Sequence, residues 1–179
     1  MTQETQIIHR VLEGDIESFR LIIEMYERPI VRMIRNLINN RESCEDIAQD
    51  VFFTAYRKLA SFDPALSNFS TWLFTIARNK SINAMRKKRP VSMSELPHNS
   101  NGHNPSDELA ERELFDKLDA GLETLPSAQK RAFVFAVFEK LPYEEIAQIE
   151  GVRTGTIKSR INRARKKLAK ALKEIRYEK

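Results

Sequence analysis

The stretch YEEIAQIEGVRTGTIKSRINRARKKLAKAL, Tyr143 to Leu172, decides how this chain is read. It has the pattern of a short helix, a tight turn and a longer helix. Ile146, Ala147 and Ile149 give the first helix an apolar side. Gly151 stands where the chain must reverse, and glycine tolerates the positive φ that such a turn often needs. Thr154 is placed to cap the second helix. Beyond it Ile157, Ile161, Ala164, Leu168, Ala171, Leu172 and Ile175 recur at three- and four-residue steps, which makes one buried stripe. The other side carries Lys158, Ser159, Asn162, Arg163 and Lys166. From Arg153 to Lys179 eleven basic residues are opposed only by Glu174 and Glu178. This is the pattern of a helix-turn-helix that lays its second helix in the DNA major groove. Lys and Arg neutralise phosphates or reach guanine O6 and N7, and Asn and Ser read base edges. An amphipathic helix with a solvated basic face is the commoner explanation of such a charge run by itself. The one-sided excess behind a glycine turn favours DNA.

At 179 residues the chain can bury a core as one domain or as two small ones. Hydrophobic residues make up 41% and charged residues 31%, a globular rather than a disordered composition. The net charge of +5 is a weak argument for nucleic acid; its clustering is the stronger one. The longest apolar run, Ala132 to Phe138, is far too short to span a bilayer. The opening MTQETQIIHR lacks the charged-then-apolar layout of a signal peptide. A single cysteine, Cys44, rules out an internal disulfide and fits a reducing cytoplasm.

Almost everything reads as helix, because no segment sustains a period-two alternation. A first helix holds Ile7, Ile8, Val11 and Leu12 inward and stops at Gly14. Asp15 then caps a longer helix with Phe19, Ile22, Ile23, Tyr26, Ile30, Ile34, Leu37 and Ile38 inward, which Pro29 should kink or split. In a third helix, roughly Glu42 to Leu59, the residues Ile47, Ala48, Val51, Phe52, Ala55, Tyr56 and Leu59 share one half of the wheel. Asp46, Gln49, Asp50, Phe53 and Arg57 share the other. Phe53 thus emerges from a polar face. It either tucks under a loop or anchors a protein partner. The turn-rich loop Ser61 to Asn68 leads into FSTWLFTIARNKSINAMRKKR, where aromatics are followed by cations. That combination suits bases stacked along a phosphate track, whereas for Trp72 alone core packing is the simpler expectation.

Between Pro90 and Pro105 the composition turns to Pro, Ser, Asn and Gly, the mark of a linker. As a flexible coil it would average about 20–25 Å, and it would reach about 50 Å when extended, enough to serve DNA sites more than a helical turn apart. His98, His103 and Asp107 offer no preformed pocket for a metal and are read as solvated. A second module follows, with Leu109, Leu114, Leu118 and Leu122 inward. Ser127 is placed to cap SAQKRAFVFAVFEK, whose Phe133, Val134, Val137 and Phe138 should form the core.

Two stretches now point the same way. EDIAQDVFFTAYRKLASF with FSTWLFTIARNKSINAMRKKR resembles region two of bacterial sigma factors, and LPSAQKRAFVFAVFEKLPYEEIAQIEGVRTGTIKSRINRARKKL resembles region four. Nothing resembling region one or three lies between them, a layout similar to the extracytoplasmic-function (ECF, group IV) sigma factors. The resemblance implies an all-α fold of two small helical domains, residues 1–89 and 107–179, joined by a flexible linker at 90–106. It implies that Asp46, Gln49, Asp50 and Phe53 bind the clamp helices of the largest RNA polymerase subunit. It implies that Phe62, Asn68, Trp72, Arg78, Asn79 and Lys80 recognise and open the minus-ten element. Thr156, Lys158, Ser159, Asn162, Arg163 and Arg165 then read the minus-thirty-five element. The second-largest subunit's flap, promoter DNA and an anti-sigma factor are the other implied partners. The implied setting is the bacterial cytoplasm, with the anti-sigma factor able to hold the chain at the inner membrane face. No membrane insertion of its own, no cofactor and no metal are expected. Trp72 is followed by Leu73 where primary sigma factors carry two adjacent tryptophans, which implies weaker melting and a stricter promoter requirement.

The competing readings are a stand-alone helix-turn-helix regulator and a sigma-like decoy that never touches DNA. The polar face of the third helix and the absence of a dimer heptad oppose the first; Lys158, Arg163 and Arg165 oppose the second. An enzyme is the poorest reading, because Cys44 has no histidine near it in sequence and no glycine-rich phosphate loop or metal-ligand spacing occurs.

Overall fold

The computed structural model describes residues 2–38, 42–87 and 117–177; among these, regular structure is helical throughout. The first four helices are α1 (Gln3–Leu12), α2 (Phe19–Leu37), α3 (Glu42–Lys58) and α4 (Phe69–Lys87). Short 3-10 turns at Ile16–Ser18 and Leu59–Ser61 precede α2 and follow α3. A second group comprises α5 (residues 117–123), α6 (Ser127–Val137), α7 (Tyr143–Glu150) and α8 (Thr154–Tyr177). Residues 90–106, read above as a linker, lie outside the described residues, as do His98, His103, Asp107, Leu109 and Leu114.

The first group is a bundle in which α3 packs on both α2 and α4, around Ile22, Ile30, Met33, Ile34, Val51 and Leu73, all fully buried. Ile7, Ile8 and Val11 of α1 join this core, whereas Leu12, expected inward, is 52% exposed at the end of the helix. The Asp15 cap forms over the 3-10 turn rather than over α2: its Oδ1 accepts the Ser18 amide at 3.3 Å. Pro29 does not split α2, which runs unbroken from Phe19 to Leu37. A proline removes only its own amide, and Ile22, Ile30 and Ile34, buried on both sides of it, hold the two halves in register.

In the second group α6 packs on α8, and Leu122, Leu125, Phe133, Ala164 and Leu168 form a small core. Ser127 opens α6 without capping it; Pro126 takes the cap position. Val137, expected inside, is 38% exposed, whereas Phe135 is fully buried. The reason lies across the molecule. Phe135 meets Phe74 of α4 edge to face, with centroids 5.9 Å apart, so α6 has a second buried side that its own module does not require. Buried apolar side chains accordingly run without a break from the first bundle into the second.

Candidate nucleic-acid and polymerase interface

The helix-turn-helix forms as the residues require. α7 ends at Gly151 in the left-handed conformation (φ 65°), and the Val152 amide returns to the Ala147 carbonyl at 3.0 Å. Thr154 is the first residue of α8 rather than its cap. Ile157, Ile161, Ala164 and Leu168 are buried and Ala171 is half-buried; the Leu172 and Ile175 side chains lie outside the described set. Thr156, Lys158, Ser159, Asn162, Arg163 and Arg165 are all exposed, on the parts of α8 that the buried stripe leaves free. Six polar or cationic side chains along one helix, rooted by four buried ones, suit a duplex groove.

α3 presents Asp46, Gln49, Asp50 and Phe53 to solvent. Phe53 is 61% exposed, so it does not tuck under a loop; the Arg57 guanidinium lies 5.8 Å from its ring centroid. Beside it an apolar groove of about 640 Å³ runs between α2 and α3, lined by Phe19, Ile23, Phe52 and Tyr56 among others. Tyr56, expected inside, sits on the groove rim with its ring edge-on to Phe19 at 5.2 Å.

The loop between α3 and α4 is built by its own polar groups. Ser61 Oγ donates to the Lys58 carbonyl at 2.6 Å, and Asp63 Oδ1 accepts the Ala65 amide at 2.8 Å. Phe62, half-buried, packs on Phe69 (5.3 Å) and Trp72 (5.5 Å). Trp72 is therefore neither a core residue nor an open platform; one part of its ring joins this aromatic cluster and the rest meets solvent. Lys80 Nζ lies 3.4 Å from Asp50 Oδ2, which links the α4 and α3 faces. Arg78 gives one nitrogen to Asn79 Oδ1 at 2.8 Å, while its Nε reaches Glu150 Oε1 at 2.9 Å.

Glu150 is the buried ion-pair centre that sequence reasoning missed. Its carboxylate also accepts from Arg131, at 2.8 and 2.9 Å, and from Arg160 at 3.2 Å, and its side chain is all but fully buried. Burial pushes its carboxyl up, but Arg131 and Arg78 more than offset this and hold it below the ordinary value. The signal was available: Glu150 follows Ala147 by three and Ile146 by four, so it sits on the apolar stripe of α7. Glu145 and Thr71 also carry no sequence signature, yet they meet at 2.8 Å.

Comparison with known proteins follows the same division. The sigma-70 region 2 family model matches residues 22–91, and the sigma-70 region 4 model matches residues 115–168. The ECF RNA polymerase sigma factor SigW of Bacillus subtilis is 31% identical over 182 residues, covering 94% of this chain and 96% of its own. The RNA polymerase sigma-H factor of Pseudomonas aeruginosa is 33% identical over 185 residues, with 97% and 95% covered. Among solved structures, the sigma factor RpoE in complex with the anti-sigma factor NepR from Bartonella quintana superposes with a TM-score of 0.73 at 27% identity, over 88% of this chain and 98% of that one. CnrH, solved with the cytosolic domain of CnrY, shares the fold with a TM-score of 0.74 at 22% identity, over 94% and 96%.

Proposed function

This chain belongs to the ECF sigma factors of the sigma-70 family, and from that premise we propose how its surfaces divide the work. It is an alternative sigma factor, a dissociable subunit that directs core RNA polymerase to promoters, and not an enzyme. Residues 1–89 are the unit that grips polymerase and opens the minus-ten element. Residues 107–179 hold the minus-thirty-five duplex, and 90–106 tether the two. Asp46, Gln49, Asp50 and Phe53 dock on the clamp helices of the largest subunit, with Phe53 as the apolar anchor inside a polar ring. Phe62, Asn68, Trp72, Arg78, Asn79 and Lys80 take the displaced strand, where stacking and hydrogen bonds offset the few kcal/mol lost on unstacking. Thr156, Lys158, Ser159, Asn162, Arg163 and Arg165 read the upstream duplex, and the second module also meets the flap of the second-largest subunit. Binding core fixes both modules together, so each weak DNA contact gains effective concentration from the other.

The observation that carries this reading is Phe53 on the acidic and polar side of α3, an apolar ring left 61% exposed with the Arg57 guanidinium beside it. An anti-sigma factor is the proposed negative regulator, and the likeness to the RpoE–NepR complex supports it. Among the described residues no helix is long and apolar enough to cross a membrane, so any attachment to the inner membrane face of the cytoplasm would come from that regulator. A stand-alone helix-turn-helix regulator is not favoured. Substituting Asp50→Arg should weaken assembly with core polymerase by more than about tenfold while leaving the helical circular dichroism unchanged. Co-elution of this variant with core at parental levels would remove the clamp-face assignment.

A further inference from the structure

Two kinds of contact hold α8 to its own module. Ile157, Ile161, Ala164 and Leu168 bury one stripe, an apolar contact with no preferred direction. The other contact is directional. Arg160 Nη1 donates to Glu150 Oε2 at 3.2 Å, and the same carboxylate takes a two-pronged pair from Arg131 of α6 at 2.8 and 2.9 Å. The side chains of Glu150 and Arg131 are only 1% and 11% exposed, which leaves them little freedom to move. By the 100° helical step, Arg160 falls on the flank of α8 between buried Ala164 and exposed Arg163. Its guanidinium turns inward to a carboxylate, whereas Ser159, Asn162 and Arg163 beside it are exposed. Arg78 of α4 shares Glu150 too, at 2.9 Å. The relay from Arg131 through Glu150 to Arg160 nevertheless lies wholly inside the second module.

We propose that Glu150 and Arg160 are positioning residues for promoter reading: they set the rotation of α8 about its own axis, and so aim Asn162 and Arg163, without touching DNA themselves. This rests on the assignment of α8 to the minus-thirty-five element in the previous section. The geometry of a helix gives the size of the effect. A side-chain tip about 6 Å from the helix axis moves by about 1.5 Å when the helix rolls by about 15°. A hydrogen bond to a base edge tolerates only about 2.7–3.2 Å between heavy atoms, so such a roll breaks it. Groups that read bases therefore need neighbours with locked side chains to hold them within about 0.5 Å and 10–20°. Attraction to phosphate is less demanding of angle. Loss of the relay should thus remove base discrimination while sparing the sequence-independent part of binding. A phosphate ligand would behave in the opposite way, because its removal weakens binding to every sequence alike.

The test uses holoenzyme assembled from purified core polymerase and the full chain, on a promoter library randomised at the upstream element, with the transcripts sequenced. Binding to the promoters that the parent selects is then titrated with salt. Arg160→Gln and Glu150→Gln should each flatten base preference at the upstream positions by about tenfold. The slope of affinity against salt should stay parental in Arg160→Gln, and so should its preferences at the minus-ten element. The double variant should be no worse than either single one, because both changes break one relay. Arg160→Gln leaves the buried carboxylate paired with Arg131, so it carries the test even if Glu150→Gln proves unstable. Three results would each overturn the proposal: a folded Arg160→Gln chain with parental upstream preferences, a salt slope lowered by about one with preferences intact, or additive losses in the double variant. Arg163→Ala, run in parallel, separates the two claims. If it alters preference at an upstream position while Arg160→Gln alters none, the positioning role alone fails; if neither alters any, the assignment of α8 fails with it.

Discussion

At the scale of single residues the most consequential group is Glu150, one carboxylate shared by Arg78, Arg131 and Arg160. Removing it leaves three guanidiniums facing one another in a half-buried space. Glu150→Ala should therefore cost about 2–3 kcal/mol in urea denaturation, less than the ~3–5 typical of fully buried pairs because the arginines retain some access to water. The pH dependence has a definite sign. Its folded pKa is depressed below the ordinary 4.5, so its contribution is complete above that value and is lost as pH falls through the lower folded one. The stability gap between the parent and Glu150→Gln should narrow as the medium is acidified below 4.5; a gap that widened would contradict the pairing. Arg163 tests the other end of the molecule. Exposed on α8, it should contribute about 1–3 kcal/mol of discrimination at the base it contacts, seen as Arg163→Ala holoenzyme losing preference at one promoter position. The exposure of Lys158, Ser159, Asn162 and Arg163 was legible from a helical wheel alone. The buried place of Glu150 on the α7 stripe was legible there too; its pairing was not, because its partners come from three other helices.

For whole elements, legibility depended on whether an element's environment was its own module. The stripe of α8 and the glycine turn before it were readable because each is set by local spacing. Gly151 adopts φ 65° with nothing within 4 Å of where a Cβ would stand, so Gly151→Ala should cost only the conformational penalty, roughly 1–2 kcal/mol by thermal or urea unfolding. A loss near zero would mean that the turn relaxes to another conformation. α6 was misread in one respect. A wheel gave Val137 to the core and left out Phe135, whereas Phe135 is buried against Phe74, sixty-one positions earlier in the chain. Likewise Pro29 was expected to kink or split α2; it does not split it, and flanking buried isoleucines keep the helix in one piece. Local propensity yields where tertiary packing on both sides is strong.

The whole molecule combines surfaces of opposite character: an acidic and polar α3 face with an exposed phenylalanine, and a basic α8 face, carried by two bundles that also pack on each other. The two bundles and the all-helical class were readable from sequence. Their mutual packing was not, because the contacts that define it, such as Arg32 with Glu139, join residues 107 positions apart and follow no periodic pattern. The measurement that bears most directly on the account is run-off transcription with purified core polymerase, with and without this protein, over a library of promoters. The account predicts new, discrete start sites that depend on the added chain and disappear with Asp50→Arg. A folded chain that redirects core polymerase to no start site would contradict it.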